Sequence, residues 1–122
     1  MKITNMSREF NAKEIYNMTQ DKAVISVKDV ADNEILNVNG YITFEDTNKD
    51  GDTSDILAIM GADADGVVKV WACQSATFKR SFFDIIDILN SQNIDIAENA
   101  VAIQKLSGTT KAGREYVDCR WA

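Results

Sequence analysis

One segment, between Ser75 and Asn90, has the period of an amphipathic helix in a chain that otherwise alternates apolar and polar residues as strands do. A hydroxyl at Ser75 or Thr77 is placed to cap its first turn. A helix with such an apolar face must bury it, and only a sheet formed by the neighbouring segments is large enough to cover that face. The pattern predicts a mainly β protein with one central α-helix. The positions on one helix face are Phe78, Phe82, Ile85, Ile86 and Leu89.

Three strand-like segments precede this helix and two follow it. That order is the order of the OB-fold, a small five-stranded Greek-key barrel with a helix at one end. We therefore expect Phe82 and Ile86 to be deeply buried against a barrel. The predicted elements are strands near 35–45, 55–61, 67–73, 100–106 and 114–121, with the helix near 76–90.

The first predicted strand alternates clearly, so its side chains are assigned to two faces. Gly40, in the middle of this strand, suits the bend or bulge that closure of a small barrel requires. The predicted faces are Leu36, Val38, Ile42 and Phe44 on one side, and Asn37, Asn39, Tyr41 and Thr43 on the other.

The first quarter of the chain is predicted to be an extension packed on the barrel. Residues 1–33 form this extension, and residues 34–122 form the OB-fold domain. Asn11 followed by Glu14 has the spacing of a capping box, which predicts a short helix over AKEIYNMT. Residues 23–30 alternate weakly and fit either a short strand or an extended linker.

Composition argues against several classes of protein. A chain of 122 residues that is 45% apolar is long enough for one domain with its own core. No apolar run approaches the roughly 20 residues that cross a membrane, and the first residues do not resemble a secretory signal. Cys73 and Cys119 are expected to be buried free thiols in a cytoplasmic protein.

Enzymatic chemistry finds little support in these residues. The chain has no histidine, which is the usual general acid or base. It also has no nucleophile elbow for covalent catalysis and no phosphate-cradling glycine loop. We therefore expect a protein that is not an enzyme and that uses no cofactor.

The polar loop between the first two predicted strands matches half of a calcium-binding motif. Asp46, Asn48, Asp50 and Gly51 occupy the spacing of the first half of an EF-hand loop. Position 12, where a bidentate Glu belongs, is Leu57, and strands rather than helices flank the loop. We expect a solvated hairpin loop with calcium affinity of roughly millimolar strength at best, and no metal site.

Charge is distributed unevenly along the chain, whose net charge is −6. Residues 1–66 carry 6 basic and 13 acidic side chains, whereas residues 67–122 carry 7 basic and 6 acidic ones. Overall acidity disfavours a broad nucleic-acid surface, but screening confines each surface charge to roughly 10 Å, so a local basic surface is compatible with it.

Aromatic and basic residues recur on the predicted strands and loops. Flat aromatics that stack bases and cations that meet phosphates are what sequence-independent single-strand binding requires. Alternation by itself would turn about half of the aromatics into the barrel. The candidate nucleic-acid-binding residues are Tyr41, Lys69, Trp71, Lys105, Lys111, Arg114, Tyr116 and Arg120.

Two strands supply the predicted binding face. Lys69 and Trp71 share one side of the third strand, opposite Val68 and Val70, which are taken as its core side. The alternative is that Trp71 is a core residue, since tryptophan is highly buried on average. On the last strand Arg114, Tyr116 and Arg120 lie opposite Val117 and Cys119. The predicted roles are base stacking by Trp71 and Tyr116, and phosphate contacts by Lys69, Lys111, Arg114 and Arg120.

Several motifs resemble those of the small single-stranded DNA-binding proteins of tailed bacteriophages. They are YITFEDTN, the hairpin ending in Asp65-Gly66, QSATF before the helix, II-D-IL at its end, AKEIYNMT and SGTTKAGREYV. In that family the last two strands flank a G-T-S/T-x-x-G turn followed by basic and aromatic residues. The matching positions are Gly108, Thr109, Thr110, Gly113, Arg114 and Tyr116.

This resemblance implies an OB-fold that coats exposed template during phage DNA replication in the host cytoplasm. Its implied partners are single-stranded DNA and other replication proteins, with no membrane. The acidic loop DTNKDGDTSD departs from the family pattern. A function of another class stays open, namely a protein–protein interaction or inhibitor module that uses the acidic half, and a calcium-binding module is a third.

Overall fold

The computed structural model describes residues 1–122 as a curled, open sheet of seven strands with two helices. The strands are β1 (Lys2–Met6), β2 (Ile25–Ser26), β3 (Ile35–Thr47), β4 (Thr53–Ala62), β5 (Val68–Cys73), β6 (Val101–Thr109) and β7 (Glu115–Trp121). The helices are α1 (Ala12–Thr19) and α2 (Ala76–Ser91), and a 3-10 turn spans Val27–Asp29.

The five predicted strands and the central helix all form within three residues of their predicted bounds. The predicted count of five strands is wrong, because β1 and β2 also join the sheet. Both come from the first 33 residues, so this segment supplies strands as well as the predicted short helix. Residues 23–30, which fitted either a strand or a linker, form β2 and the 3-10 turn.

Strand β3 organises the sheet because both of its edges are paired. One edge pairs with β4 from Asn37 to Thr47. The other edge is shared, so that Ile35–Val38 pair with β6 and Ile42–Glu45 pair with β1. From there β4 leads to β5, β6 leads to β7, and β2 adds a short parallel pairing to β5. The sheet therefore ends at β2 on one side and at β7 on the other.

A β-bulge in β3 changes which side chains face which core. The register with β4 shifts between Val38 and Gly40, where the sequence predicted a bend or bulge. One extra residue reverses the two-residue alternation. Tyr41 therefore joins Val38 on one face, while Ile42 and Phe44 turn to the other. The predicted grouping of Val38 with Ile42 and Phe44 is wrong for this reason.

The sheet buries side chains on both faces. The larger core lies under α2 and includes residues from β3 to β7 as well as the helix. The smaller core lies under β1 and α1, and consists of Phe10, Met18, Ile42, Phe44 and Ala58. The N-terminal segment therefore packs on the sheet, as predicted, and encloses a second core there.

Helix α2 packs its apolar face into the larger core, as its period predicts. Phe82 and Ile86 are 0% and 3% exposed, which confirms their predicted burial. Ser75 caps the first turn, its Oγ accepting from the amide of Phe78 at 3.2 Å, and donates to Val117 O of β7 at 3.2 Å. The start of α2 thus contacts the middle of β7, where Ser81 Oγ also donates to Asp118. Neither helix has the length and apolarity that a membrane crossing needs.

Replacing Phe82 with alanine is expected to lower the free energy of unfolding by about 3–5 kcal/mol, because it empties a fully buried site. Urea denaturation followed by circular dichroism measures this loss. The matched control is Ile88→Ala, on the exposed side of the same helix, which should change stability by no more than about 0.5 kcal/mol. A loss below about 1 kcal/mol for Phe82→Ala would contradict the packing described above.

Candidate functional site

A groove of about 1480 Å³ lies between the two ends of the curled sheet. One wall is the segment 24–32, here called the strap, which carries β2 and the 3-10 turn. The opposite wall is the β6–β7 hairpin, from residue 105 to residue 117. The end of β5 and the start of α2, residues 72–77, form the floor between them.

The turn of the hairpin has a defined geometry that its sequence explains. The amide of Gly113 donates to Thr110 O at 2.9 Å, and the amide of Thr110 donates to Arg114 O at 2.8 Å. The Thr110 hydroxyl accepts from the amide of Arg114 at 3.1 Å. Gly113 has φ of +82°, a conformation that favours glycine. These residues fix the point at which β7 begins, and with it the positions of Arg114 and Tyr116.

Tyr116 lies across the hairpin on a glycine. Gly108 is its direct partner in the β6–β7 register, and a Cβ at that position would come within 2.5 Å of Tyr116 Oη and 2.6 Å of Cζ. The ring therefore rests on bare backbone, while the residue remains 40% exposed. An aromatic ring supported on one side and open on the other is suited to stacking.

The strap is held against β6 by a buried lysine. Lys105 Nζ donates to Val30 O at 2.8 Å and to Asp32 Oδ1 at 2.9 Å. Ser107 Oγ donates to the same Asp32 oxygen at 2.7 Å. The hydrogen bond from Ser107, and then the one from Lys105, lower the pKa of Asp32, so its carboxyl group is ionised at neutral pH. The groove also contains the exposed residues Lys28, Arg114 and Glu115.

The predicted orientation of β5 is wrong. Trp71 is 1% exposed and belongs to the larger core, whereas Val68 is 75% exposed. Val70, on the opposite face from Trp71, packs against the smaller core. Because both faces of β5 are covered, alternation in this strand does not distinguish a core side from a solvent side. Trp71 is therefore not available to stack a base, and the core alternative is the one observed.

Two further candidate residues are also engaged within the protein. Lys69 Nζ lies 2.7 Å from Asp63 Oδ2, and this contact lowers the pKa of Asp63 and raises the pKa of Lys69. Tyr41 is buried, with its ring edge-to-face against Phe82 at 5.8 Å and Phe83 at 5.3 Å. Burial raises the pKa of Tyr41. The bulge in β3 is the reason why Tyr41 faces the core rather than solvent.

The candidate residues thus divide between the hairpin and the core. Arg114 and Tyr116 line the groove, and Lys105 lies behind Asp32. Lys111, in the hairpin turn, and Arg120, on the outer face of β7, are exposed but do not line the groove. Sequence reasoning missed most of the lining, including three polar residues of the strap and of β6, because the strap has no strong period and Ser107 is an ordinary strand residue. The three polar residues are Lys28, Asp32 and Ser107.

The acidic β3–β4 loop forms the exposed hairpin connection that its sequence predicts. Asn48 Oδ1 accepts from the amides of Asp50 and Asp52 at 2.9 and 3.0 Å. A side chain that was a candidate calcium ligand therefore shapes the loop itself. No group of three or more acidic, cysteine or histidine side chains is arranged to hold a metal ion.

Both cysteines are free and buried, as expected. Burial raises the pKa of Cys73 to about 11 and that of Cys119 to about 12. We expect a thiol reagent at pH 8 to modify neither residue quickly in the folded protein, because the thiolate is scarce and access is poor. Both should react at once in denaturant, which absorbance of the released chromophore measures. Rapid modification of either thiol under native conditions would contradict the burial seen here.

No protein-family model, curated protein or solved structure matches this chain. The function is therefore inferred from the chemistry of the groove and its surroundings.

Proposed function

We propose that the chain binds single-stranded DNA, without sequence preference, in the groove between the strap and the β6–β7 hairpin. The observation that carries this proposal is Tyr116, whose partly exposed ring lies on Gly108 in the groove wall. Arg114, two residues away in the same wall, supplies a cation for the DNA backbone. An aromatic platform beside a cation meets the two requirements of sequence-tolerant single-strand binding.

The arrangement of the strands supports an OB-like reading of the fold. Strands β3, β4, β5, β6 and β7, with α2 between the third and the fourth, follow the order of a partly open five-stranded OB barrel. OB-folds bind oligonucleotides with the loops that follow their first and fourth strands. Here the loop after the fourth strand is the β6–β7 turn at the groove, whereas the acidic loop after the first does not line it.

The motif that most resembles the phage single-stranded DNA-binding proteins, SGTTKAGREYV, is the segment that builds the hairpin wall. The proposed role is accordingly the coating of exposed template during phage DNA replication. The acidic net charge is compatible with this role because the groove differs from the average surface. Lys105 is paired with Asp32, so the free charges that line the groove are Lys28, Arg114 and Glu115.

A second function is favoured by one observation, the exposure of the acidic β3–β4 loop. Asp50 and Asp52 lie in the loop, and Asp46 and Asp55 lie on the strands that flank it. The nearby basic side chains are Lys49 in the loop and Lys79 of α2, whose Nζ donates to Asp55 O at 3.0 Å. A protein–protein interaction module that recruits a basic partner through this loop would need neither Tyr116 nor Arg114. The two functions are thus separated by variants in the hairpin and in the loop.

Tyr116→Ala is expected to weaken binding of a fluorescent oligothymidylate by about 1–3 kcal/mol, the usual loss when a stacked aromatic is removed. Fluorescence anisotropy titrations of the wild type and the variant measure this difference. Tyr16→Ala is the matched control, because Tyr16 is 54% exposed on α1 and lies outside the groove. Unchanged affinity for Tyr116→Ala, or no binding by the wild type, would overturn the proposal.

Arg114→Ala is expected to flatten the salt dependence of binding. Each phosphate contact on a single strand contributes roughly 0.7 to the slope of log K against log salt concentration, so losing one cation should reduce the slope by about that amount. The titrations are repeated at four salt concentrations, with Lys49→Ala in the acidic loop as the control. A weaker affinity with an unaltered slope would show that Arg114 does not meet a phosphate.

A further inference from the structure

Two donors on β6 converge on a single oxygen of the strap. Lys105 Nζ and Ser107 Oγ lie 2.9 and 2.7 Å from Asp32 Oδ1. The Lys105 side chain is only 4% exposed, whereas that of Asp32 is 58% exposed. All three residues line the groove. A buried ammonium group and a hydroxyl thus hold an anion at a position that faces the proposed DNA path.

Lys105 keeps its direction without Asp32, because its second bond goes to the backbone oxygen of Val30. The strap also keeps its place, since the two residues that follow it, Asn33 and Glu34, are joined to β6 by backbone hydrogen bonds. The amide of Asn33 donates to Lys105 O at 2.7 Å, and the amide of Lys105 donates to Glu34 O at 3.0 Å. Departure of the Asp32 side chain would therefore leave a preformed pair of donors in the groove wall.

Lys105 and Ser107 offer the kinds of hydrogen-bond donor that bind phosphate groups. Phosphate oxygens in nucleic-acid complexes commonly accept from lysine and serine side chains, and charge-assisted bonds of this kind are the stronger ones. A buried ammonium group without an anionic partner is costly, whereas an exposed carboxylate loses little by returning to water. Exchange of the carboxylate for a phosphate therefore keeps an anion beside Lys105 and costs little at Asp32.

We propose that Asp32 is a built-in competitor, whose carboxylate occupies the anion position that a DNA phosphate takes when the groove is filled. This inference rests on the proposed function and adds a regulatory part to the same site. Binding moves the Asp32 side chain into solvent and transfers Lys105 and Ser107 to the phosphate. The competitor lowers affinity, so the coat on the DNA is released more readily.

The test compares two variants that each remove one negative charge from the groove, Asp32→Asn and Glu115→Gln. Glu115 is the control because it is exposed and has no ion pair. Asp32→Asn should tighten oligothymidylate binding about tenfold, which is about 1.4 kcal/mol. Its salt slope should stay that of the wild type, because Lys105 contacts a phosphate in both complexes and only the competing carboxylate is removed. Glu115→Gln should give a smaller gain, also without a change in slope.

A third comparison tests whether the gain in affinity depends on the Lys105 and Ser107 donors. Ser107→Ala, made in the Asp32→Asn protein, removes an exposed donor and should cancel part of the gain. Asp32→Ala should behave like Asp32→Asn, and thermal melting of each variant shows whether the strap still packs.

The outcomes separate the two proposals. Equal gains for Asp32→Asn and Glu115→Gln, or weaker binding by Asp32→Asn, would overturn the competitor while leaving the DNA-binding function standing if Tyr116→Ala still reduces affinity. If neither the wild type nor Asp32→Asn binds the oligothymidylate, both proposals are overturned.

Discussion

The structure depends on the bulge in β3, because a single strand there serves two cores. Before the bulge, Leu36 and Val38 face α2, and after it Ile42 and Phe44 face the N-terminal segment. Only a change in alternation allows both groups to be buried. Without it, either the central helix or the N-terminal helix would lie on a polar surface. The bulge therefore makes the first 33 residues part of the fold, and with them the strap that walls the groove.

The groove exists because the curled sheet does not close into a barrel. Strands β5 and β7 do not pair with each other, since β5 is paired with β2 and β7 ends the sheet on the other side. The two walls that face each other across the gap therefore differ in structure. One wall is a regular antiparallel hairpin with a defined turn. The other is the strap, which is held by its short pairing with β5 and by Lys105.

Most of the architecture could be predicted from the sequence, but only part of the site could. The period of α2 and the turn signals located every major element, and alternation on β7 placed Val117 and Cys119 inside and Tyr116 outside, because only one face of the hairpin is buried. Trp71 and Tyr41 were misplaced because the N-terminal segment covers the second face of the sheet and the bulge inverts β3. The internal partners of Lys105 were missed because they lie more than 70 residues away in sequence.

The contact between Tyr116 and Gly108 has an evolutionary consequence. A side chain at position 108 would displace the ring, and loss of the ring would leave the glycine backbone uncovered on the surface of the hairpin. Because a change at either position disturbs the other, lineages that descend from this chain should replace the two residues together. Gly113 is tied in a different way, to the positive φ of its turn alone, so most substitutions there would strain the turn without touching the ring. Replacement of both residues 108 and 116 would thus change the hairpin surface that contacts the ligand. An altered turn would instead change how far the hairpin extends.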